Sequence, residues 1–377
     1  MGFAKSSLSV YADEIKELFS QCNNKTHVAK QIIEKYKLKN NIEDVRSYVR
    51  RVLNTHIKHK ALENEVKNVG IPLDNVKYYW HKGEHFSIFV ENKSVSIEDV
   101  VKDILAEIKQ HAPKYQQIKY PVNNEGHLLV IDPADIHINK LCSAFETGDA
   151  YNTELAVKRV LSGVYGILEK AKGFHIDQIL FIVGNDILHT DNSKSTTTSG
   201  THQDTELMWY DAFQIAVKLM VECIEILMNV APVVVQYNPS NHDYLNGFFM
   251  AQTLQAWFNN SSQITFNASM SHRKYFRYHS NLIGSTHGDG AREQDLALLM
   301  AHESKEWNEC KNRYFYVHHI HHKKSKDYMS VCVEALRSPS GTDSWHHRNG
   351  YTHAPKAIEG FIHHKQHGQI ARLTHLF

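Results

Sequence analysis

Five short segments, in chain order, collect the donor types that hold divalent cations: Asp135-Ile136-His137, Gly184-Asn185-Asp186, Asn241-His242-Asp243, His287 and His319-Ile320-His321, with His189 three residues beyond Asp186. Hard or borderline dications take carboxylate oxygen, imidazole nitrogen and amide oxygen, and a pair of ions needs one carboxylate lying between them. The set supplies all of these. A single block would mean little, because polar residues at a strand end are usually capping or hydrogen-bonding groups. The conjunction of five is what points to metal chemistry.

Such residues must be positioned by a scaffold, and from residue 126 onward the sequence alternates short apolar runs with amphipathic helical stretches. The runs His127–Asp132, Gln178–Val183, Pro232–Tyr237, Asn281–His287 and Arg313–His319 read as buried strands. Thr153 can cap a helix whose buried stripe is Val157, Val160, Leu161, Val164 and Leu168, and Glu206–Met228 forms a longer one. The donor residues fall just past the strands' C-terminal ends, where open α/β sheets place their sites.

This order of segments resembles the calcineurin-like metallophosphoesterase superfamily, whose pattern runs D-x-H, G-D, G-N-H-D or E, H and G-H-x-H. The resemblance spans residues 126–377, two thirds of the chain. It implies an α/β fold, a two-sheet sandwich flanked by helices. It further implies that Asp135, His137, Asp186 and His321 hold one metal and that Asp186, Asn241, His287 and His319 hold a second, with Asp186 as the bridge. Two cations roughly 3.5 Å apart can bind a phosphoryl oxygen and lower the pKa of a shared water. His242 is then the candidate to protonate the leaving alkoxide, with Asp243 orienting its ring. Manganese is the expected ion; iron, zinc and nickel suit the same ligands.

Three positions depart from the pattern: Asn185, Ser240 and His318 stand where the family has glycine, which implies altered loops around intact ligands. Gly184–Asn192 lacks the Asp-Arg-Gly continuation of Ser/Thr protein phosphatases, and Asp243 replaces their Glu. His189 is similar to a histidine of the double-strand-break-repair nuclease branch, where it helps position a DNA phosphate, and the layout is similar to the DNA-repair exonucleases of bacteriophages. The expectation is a metal-dependent nuclease acting on DNA, exo or endo, with RNA as the alternative polymer. The rivals are a small-molecule phosphodiesterase or phosphomonoesterase and a catalytically inactive DNA-binding adaptor. A homo-oligomer or a separate ATPase partner, as the nuclease branch uses, is not legible.

The N-terminal region supports a polyanion partner. Residues 1–60 carry 12 Lys or Arg against 6 Asp or Glu, although the whole chain is only +1. Apolar spacing there predicts three short helices, helix-turn-helix-like, the third bearing Arg46, Arg50 and Arg51 beside its stripe as a DNA-reading helix would. A plain helical adaptor fits the same pattern. Residues 61–125 read as a linker or small β-containing region: a hairpin around Tyr78, Tyr79, Trp80 and Phe86 with a turn at Gly83, a helix over 95–111, and a boundary near Pro113 and Pro121. The expected divisions are therefore 1–60, 61–125 and 126–377.

Composition sets outer limits. At 42% hydrophobic and 22% charged the chain is ordinary for a globular protein, and five scattered cysteines argue against a disulfide framework or thiolate zinc site. No apolar run approaches a membrane span and no secretion signal is visible, so cytoplasm is expected. The 27 histidines are the outlier. Two segments stay open: polar Ser193–Thr201 is a lid or a passive insertion, and Ser338–Tyr351, with Trp345, His346, His347 and Arg348, is a groove lining or a surface turn.

Overall fold

The computed structural model describes residues 11–38, 41–53, 78–82, 87–91, 112–121, 125–352 and 354–377. They fall into two compact units, Met1–Val100 and Val101–Phe377. In the first, helices α1 (Ala12–Cys22), α2 (Lys25–Tyr36) and α3 (42–53) bury Ile15, Val28, Ile32, Val45, Val49 and Leu53 against one another. Asn24 caps α2, its side chain accepting from Thr26 N and His27 N at 3.0 and 3.1 Å, which satisfies donors that a helix start leaves without partners. Strands β1 (Tyr78–Lys82) and β2 (Ser87–Glu91) pair as an antiparallel hairpin with Tyr78 opposite Glu91. Gly83, Phe86 and the helix expected over 95–111 lie outside the described residues.

The second unit is the expected two-sheet sandwich flanked by helices. One sheet has six strands in the order β13 (Gly368–Leu376), β12 (Ala357–His364), β3 (His127–Asp132), β4 (Ile176–Gly184), β5 (Val233–Asn238) and β6 (Ile264–Asn267). The other has five, ordered β10 (Lys324–Tyr328), β11 (Val331–Ala335), β9 (Asn312–Val317), β8 (Asn281–Ser285) and β7 (Lys274–Tyr278). Strands β3 to β6 run parallel, as do β8, β9 and β11, so their C-terminal ends point the same way within each sheet.

Side-chain alternation builds the layers. Leu128 and Val130 of β3, Leu180 and Ile182 of β4 and Phe361 of β12 meet Ile283 and Tyr316 of the second sheet, filling the space between sheets. Their neighbours Leu129, Ile131, Phe181 and Val183 face the other way, onto the helices that follow the single turn α4 (Ala144–Thr147): α5 (Thr153–Ala171), α6 (Trp209–Met228) and α7 (Tyr244–Trp257), through Val160, Val164, Leu219, Ile224, Met250 and Leu254. Leu282, Phe315 and Val333 cover the outer face of the five-stranded sheet together with Leu296 and Met300 of α8 (Leu296–Glu303). Each such buried side chain contributes roughly 1.5–3 kcal/mol relative to exposure.

Boundaries differ from expectation where tertiary partners intervene. Asn152, not Thr153, caps α5, its Oδ1 accepting from Leu155 N at 2.9 Å. The helix expected from Glu206 starts at Trp209, because Asn139 Oδ1 accepts from Glu206 N and Leu207 N at 3.1 and 2.6 Å. Strands β8 and β9 stop at Ser285 and Val317, which leaves His287 and His319 in loops. Among the described residues no helix is long and apolar enough to cross a membrane.

Gly184 closes β4 with φ +92°, and a Cβ there would lie 2.0 Å from the Asn238 carbonyl oxygen of β5. Gly184→Ala combines left-handed strain with a backbone clash, so we expect a loss of more than about 2 kcal/mol. Urea denaturation of the two proteins measures it.

Candidate metal centre

The donor-bearing loops are stitched together by hydrogen bonds that carry the parallel pairing past the strand ends. Asp135 N donates to Asn185 O at 2.7 Å, His137 N to Asp186 O at 2.9 Å, Ile138 N to Ile187 O at 2.7 Å and Asn185 N to Asn238 O at 3.1 Å. On the second sheet His318 N donates to His287 O at 2.9 Å. Within this lattice Asp135, His137, Asp186, His319 and His321 all adopt left-handed backbone, with φ between 52° and 69°. Non-glycine residues there cost of order 1 kcal/mol or more each and persist only where the surroundings over-determine them.

The three departures from glycine are absorbed locally. Asn185 also sits at φ 55°, a conformation asparagine tolerates well. Ser240 Oγ accepts from Asp186 N at 2.7 Å and donates to Asp243 Oδ1 at 2.6 Å, tying two of the loops together. His318 is buried, its Nε2 3.0 Å from Oδ2 of equally buried Asp132.

Three groups of donor atoms result: one joins His137 to His189 and His242, and two gather the expected ligands. In one of those two, His321 Nε2 lies 3.4 Å from Asp135 Oδ1 and 3.3 Å from His137 Nε2. In the other, His287 Nε2 lies 3.1 Å from Asp186 Oδ2, 2.9 Å from Asn241 Oδ1 and 3.3 Å from His319 Nδ1. All seven residues expected to bind metal are thus present in these two groups. Among the described residues Asp135 Oδ1 is a buried carboxylate oxygen with no hydrogen-bond partner, and it faces the imidazole nitrogens of His137 and His321. A dication satisfies such an arrangement, so the residues fit the metals that the family pattern implies.

The histidines differ in charge preference. Burial, then the charge of neighbouring His242, push His137 well below the usual imidazole range, and burial does the same to His189; neutral rings present lone pairs. Burial also opposes a charged His287, but Asp186 beside it outweighs this and holds its pKa up at about 9. Burial alone would raise Asp186; the His287 and His242 imidazoles instead hold it well below the carboxylate range. Asp243 is pushed upward by burial and by the charge of Asp186.

The residues around the donors take roles the sequence did not reveal. His242 N donates to Asp186 Oδ1 at 2.9 Å, and its ring Nδ1 lies 2.9 Å from the His189 carbonyl oxygen. Asp243 does not hold that ring: its oxygens accept from Leu188 N at 2.8 Å and Ser240 Oγ at 2.6 Å, which makes it a brace between loops. His189 is buried with Nδ1 3.2 Å from His137 Nδ1, so it backs a candidate ligand. The Ser193–Thr201 segment is pinned, with Thr198 N donating to Asn241 O at 3.1 Å and Thr198 Oγ1 to Asp191 Oδ2 at 2.9 Å. Asp191 Oδ1 in turn accepts from Leu245 N and Asn246 N at the start of α7. Buried Lys140 pairs with Asp343 at 2.8 Å, and Asp343 holds His346 at 2.7 Å. A lysine three residues after His137 was the only sequence signal for this network. The arginines of α3 lie in the first unit: Arg46 pairs with Glu43 at 2.9 Å, Arg50 is exposed, and Arg51 lies over the Tyr48 ring at 5.7 Å.

No protein-family model and no curated protein sequence matches the chain. Among solved structures it is similar to a Vps29 variant from Entamoeba histolytica, at 12% identity over 66% of this chain and 99% of that one, TM-score 0.30. It is similar also to Vps29 of Chaetomium thermophilum, at 11% identity over 66% and 97%, TM-score 0.29. A third is a predicted phosphoesterase from Streptococcus pneumoniae, at 12% identity over 67% and 98%, TM-score 0.27.

With its pKa held at about 9, His287 is protonated near neutrality and must lose that proton to ligate a dication. Metal affinity should therefore strengthen as pH rises toward about 9, with protons released to buffer at lower pH. Calorimetric titration with manganese in buffers of different protonation enthalpy measures both.

Proposed function

We propose that the second unit is a two-metal phosphoesterase whose substrate is a nucleic-acid phosphodiester, a nuclease of the calcineurin-like superfamily. The observation that carries this reading is the pair of donor groups on braced loops with His242 bonded to Asp186 at their edge. Asp135, His137, Asp186 and His321 would hold one cation; Asp186, Asn241, His287 and His319 would hold the other, with manganese the expected ion. When bound, such a pair supplies Lewis acidity to the phosphoryl oxygen and lowers the pKa of the attacking water.

The chain's own residues do the rest. A carbonyl oxygen only accepts, so the contact with His189 O places a proton on His242 Nδ1 and leaves Nε2 for exchange with substrate. His242 is partly exposed, so when both ring nitrogens carry protons it can donate the Nε2 proton to the departing alkoxide. The buried Asp243, Ser240 and Leu188 contacts keep the loop that carries it from shifting. DNA is the favoured polymer because α3, within the basic stretch 1–60, exposes Arg50 and Arg51 outside its buried stripe of Val45, Val49 and Leu53.

End-labelled single- and double-stranded DNA incubated with manganese tests the reading. We expect cleavage that falls about 10²- to 10⁴-fold in His242→Asn while metal content, read by elemental analysis, is unchanged. Intact, metal-loaded protein that cuts no more than this variant would shift the substrate to a small phosphoester. For the first unit, Arg50→Ala should lower the slope of log affinity against log salt by roughly one in DNA titrations, as loss of one phosphate contact does.

A further inference from the structure

A chain of rings leads outward from the metal centre. His321, one of the candidate ligands, stacks on His346 with ring centroids 5.0 Å apart and planes 18° from parallel. His346 meets Trp345 edge-on at 5.1 Å, and Trp345 stacks on Tyr351 at 5.9 Å and 22°. His346 is not free to turn away, because Asp343 fixes its Nδ1 at 2.7 Å and accepts its backbone N at 2.8 Å. Buried Lys140 fixes Asp343 from the other side at 2.8 Å. A cavity of about 260 Å³ opens along this row, lined by His321, His346 and Tyr351 together with Thr342, Thr352 and Lys356.

Trp345 and Tyr351 are 62% and 58% exposed. Rings of that size left mostly in water, and stacked with each other, contribute little to the core. They lie beside a centre whose substrate carries a phosphoester. Lys356 adds a positive charge to the cavity wall, its Nζ 3.3 Å from Thr342 Oγ1, and burial lowers its pKa. Flat π-faces, hydroxyls and one cation next to a phosphate-handling site match a nucleobase joined to that phosphate.

We infer that Trp345 and Tyr351 form a stacking platform for a nucleobase adjoining the scissile phosphate, with the cavity of His346, Thr342 and Lys356 receiving the rest of that nucleotide. The platform itself rests on the ring geometry; placing the phosphate rests on the phosphoesterase reading. The residue pair would thereby favour single-stranded ends, whose bases are free to stack.

The test uses the full chain with manganese, and binding is measured in a His242→Asn background so that turnover does not consume the ligand. The probes are a short oligothymidylate, an abasic oligomer of the same length, and thymidine monophosphate, followed by tryptophan fluorescence and calorimetry. Trp345→Ala should weaken oligothymidylate binding roughly 10- to 100-fold, Trp345→Phe should retain most of it, and the abasic oligomer should bind the parent as weakly as oligothymidylate binds Trp345→Ala. Thermal melts that coincide across the variants exclude unfolding as the cause. Equal affinity of Trp345→Ala and parent, equal affinity for the abasic oligomer, or no binding by the parent overturns the platform. Monophosphate binding as tight as the oligomer would assign the base to a free nucleotide instead of a strand. Cleavage by the His242 protein without any Trp345 dependence sinks the platform and leaves the nuclease reading standing. Trp345-dependent binding without cleavage does the reverse.

Discussion

The parallel hydrogen-bond pairing that runs on beyond the ends of β3, β4 and β5 is the constraint on which the centre depends. It ties Asp135 to Asn185, His137 to Asp186 and Asn185 to Asn238, so three loops from separate strands behave as one rigid surface. Asp135, His137 and Asp186 can then occupy left-handed backbone that an isolated loop would abandon. The apolar layers on both faces of the six-stranded sheet supply the free energy that holds the strand ends in register.

Electrostatics then decides how such a cluster survives burial. Two aspartates and several imidazoles packed together are costly unless opposite charges meet, and unpaired buried charge is among the most destabilising features a fold can carry. Here Asp186 and His287 neutralise each other, while His137 and His189 stay uncharged. The same preference for neutral rings keeps nitrogen lone pairs available. The arrangement is therefore stable enough to preform and still short of positive charge at Asp135 Oδ1, the condition under which a cation adds stability on binding.

Bracing extends outward through side chains as well as backbone. Ser240 and Asp243 link the β5 loop to the β4 loop, and Asp191 ties the Ser193–Thr201 segment to the start of α7. Lys140, Asp343 and His346 link the loop after β3 to α9 (Ser344–Arg348), a chain segment far along the sequence. Each link joins residues that carry or flank candidate ligands, so disturbance at one loop is resisted by the others.

Much of this was legible in the sequence. Short apolar runs marked β3, β4, β5, β8 and β9 to within a few residues, since strands covered on both faces are apolar almost without a break. Donor identity and order were legible too, because metal chemistry restricts residue type. What only the tertiary structure decided were partners drawn from distant segments: the His189 carbonyl rather than Asp243 behind the His242 ring, Ser240 filling a glycine position with two hydrogen bonds, His318 pairing with Asp132, and His346 stacking on His321. Periodicity records which face of an element is buried. It carries no record of which loop, brought close by strand order in a sheet, supplies the atom opposite a given side chain.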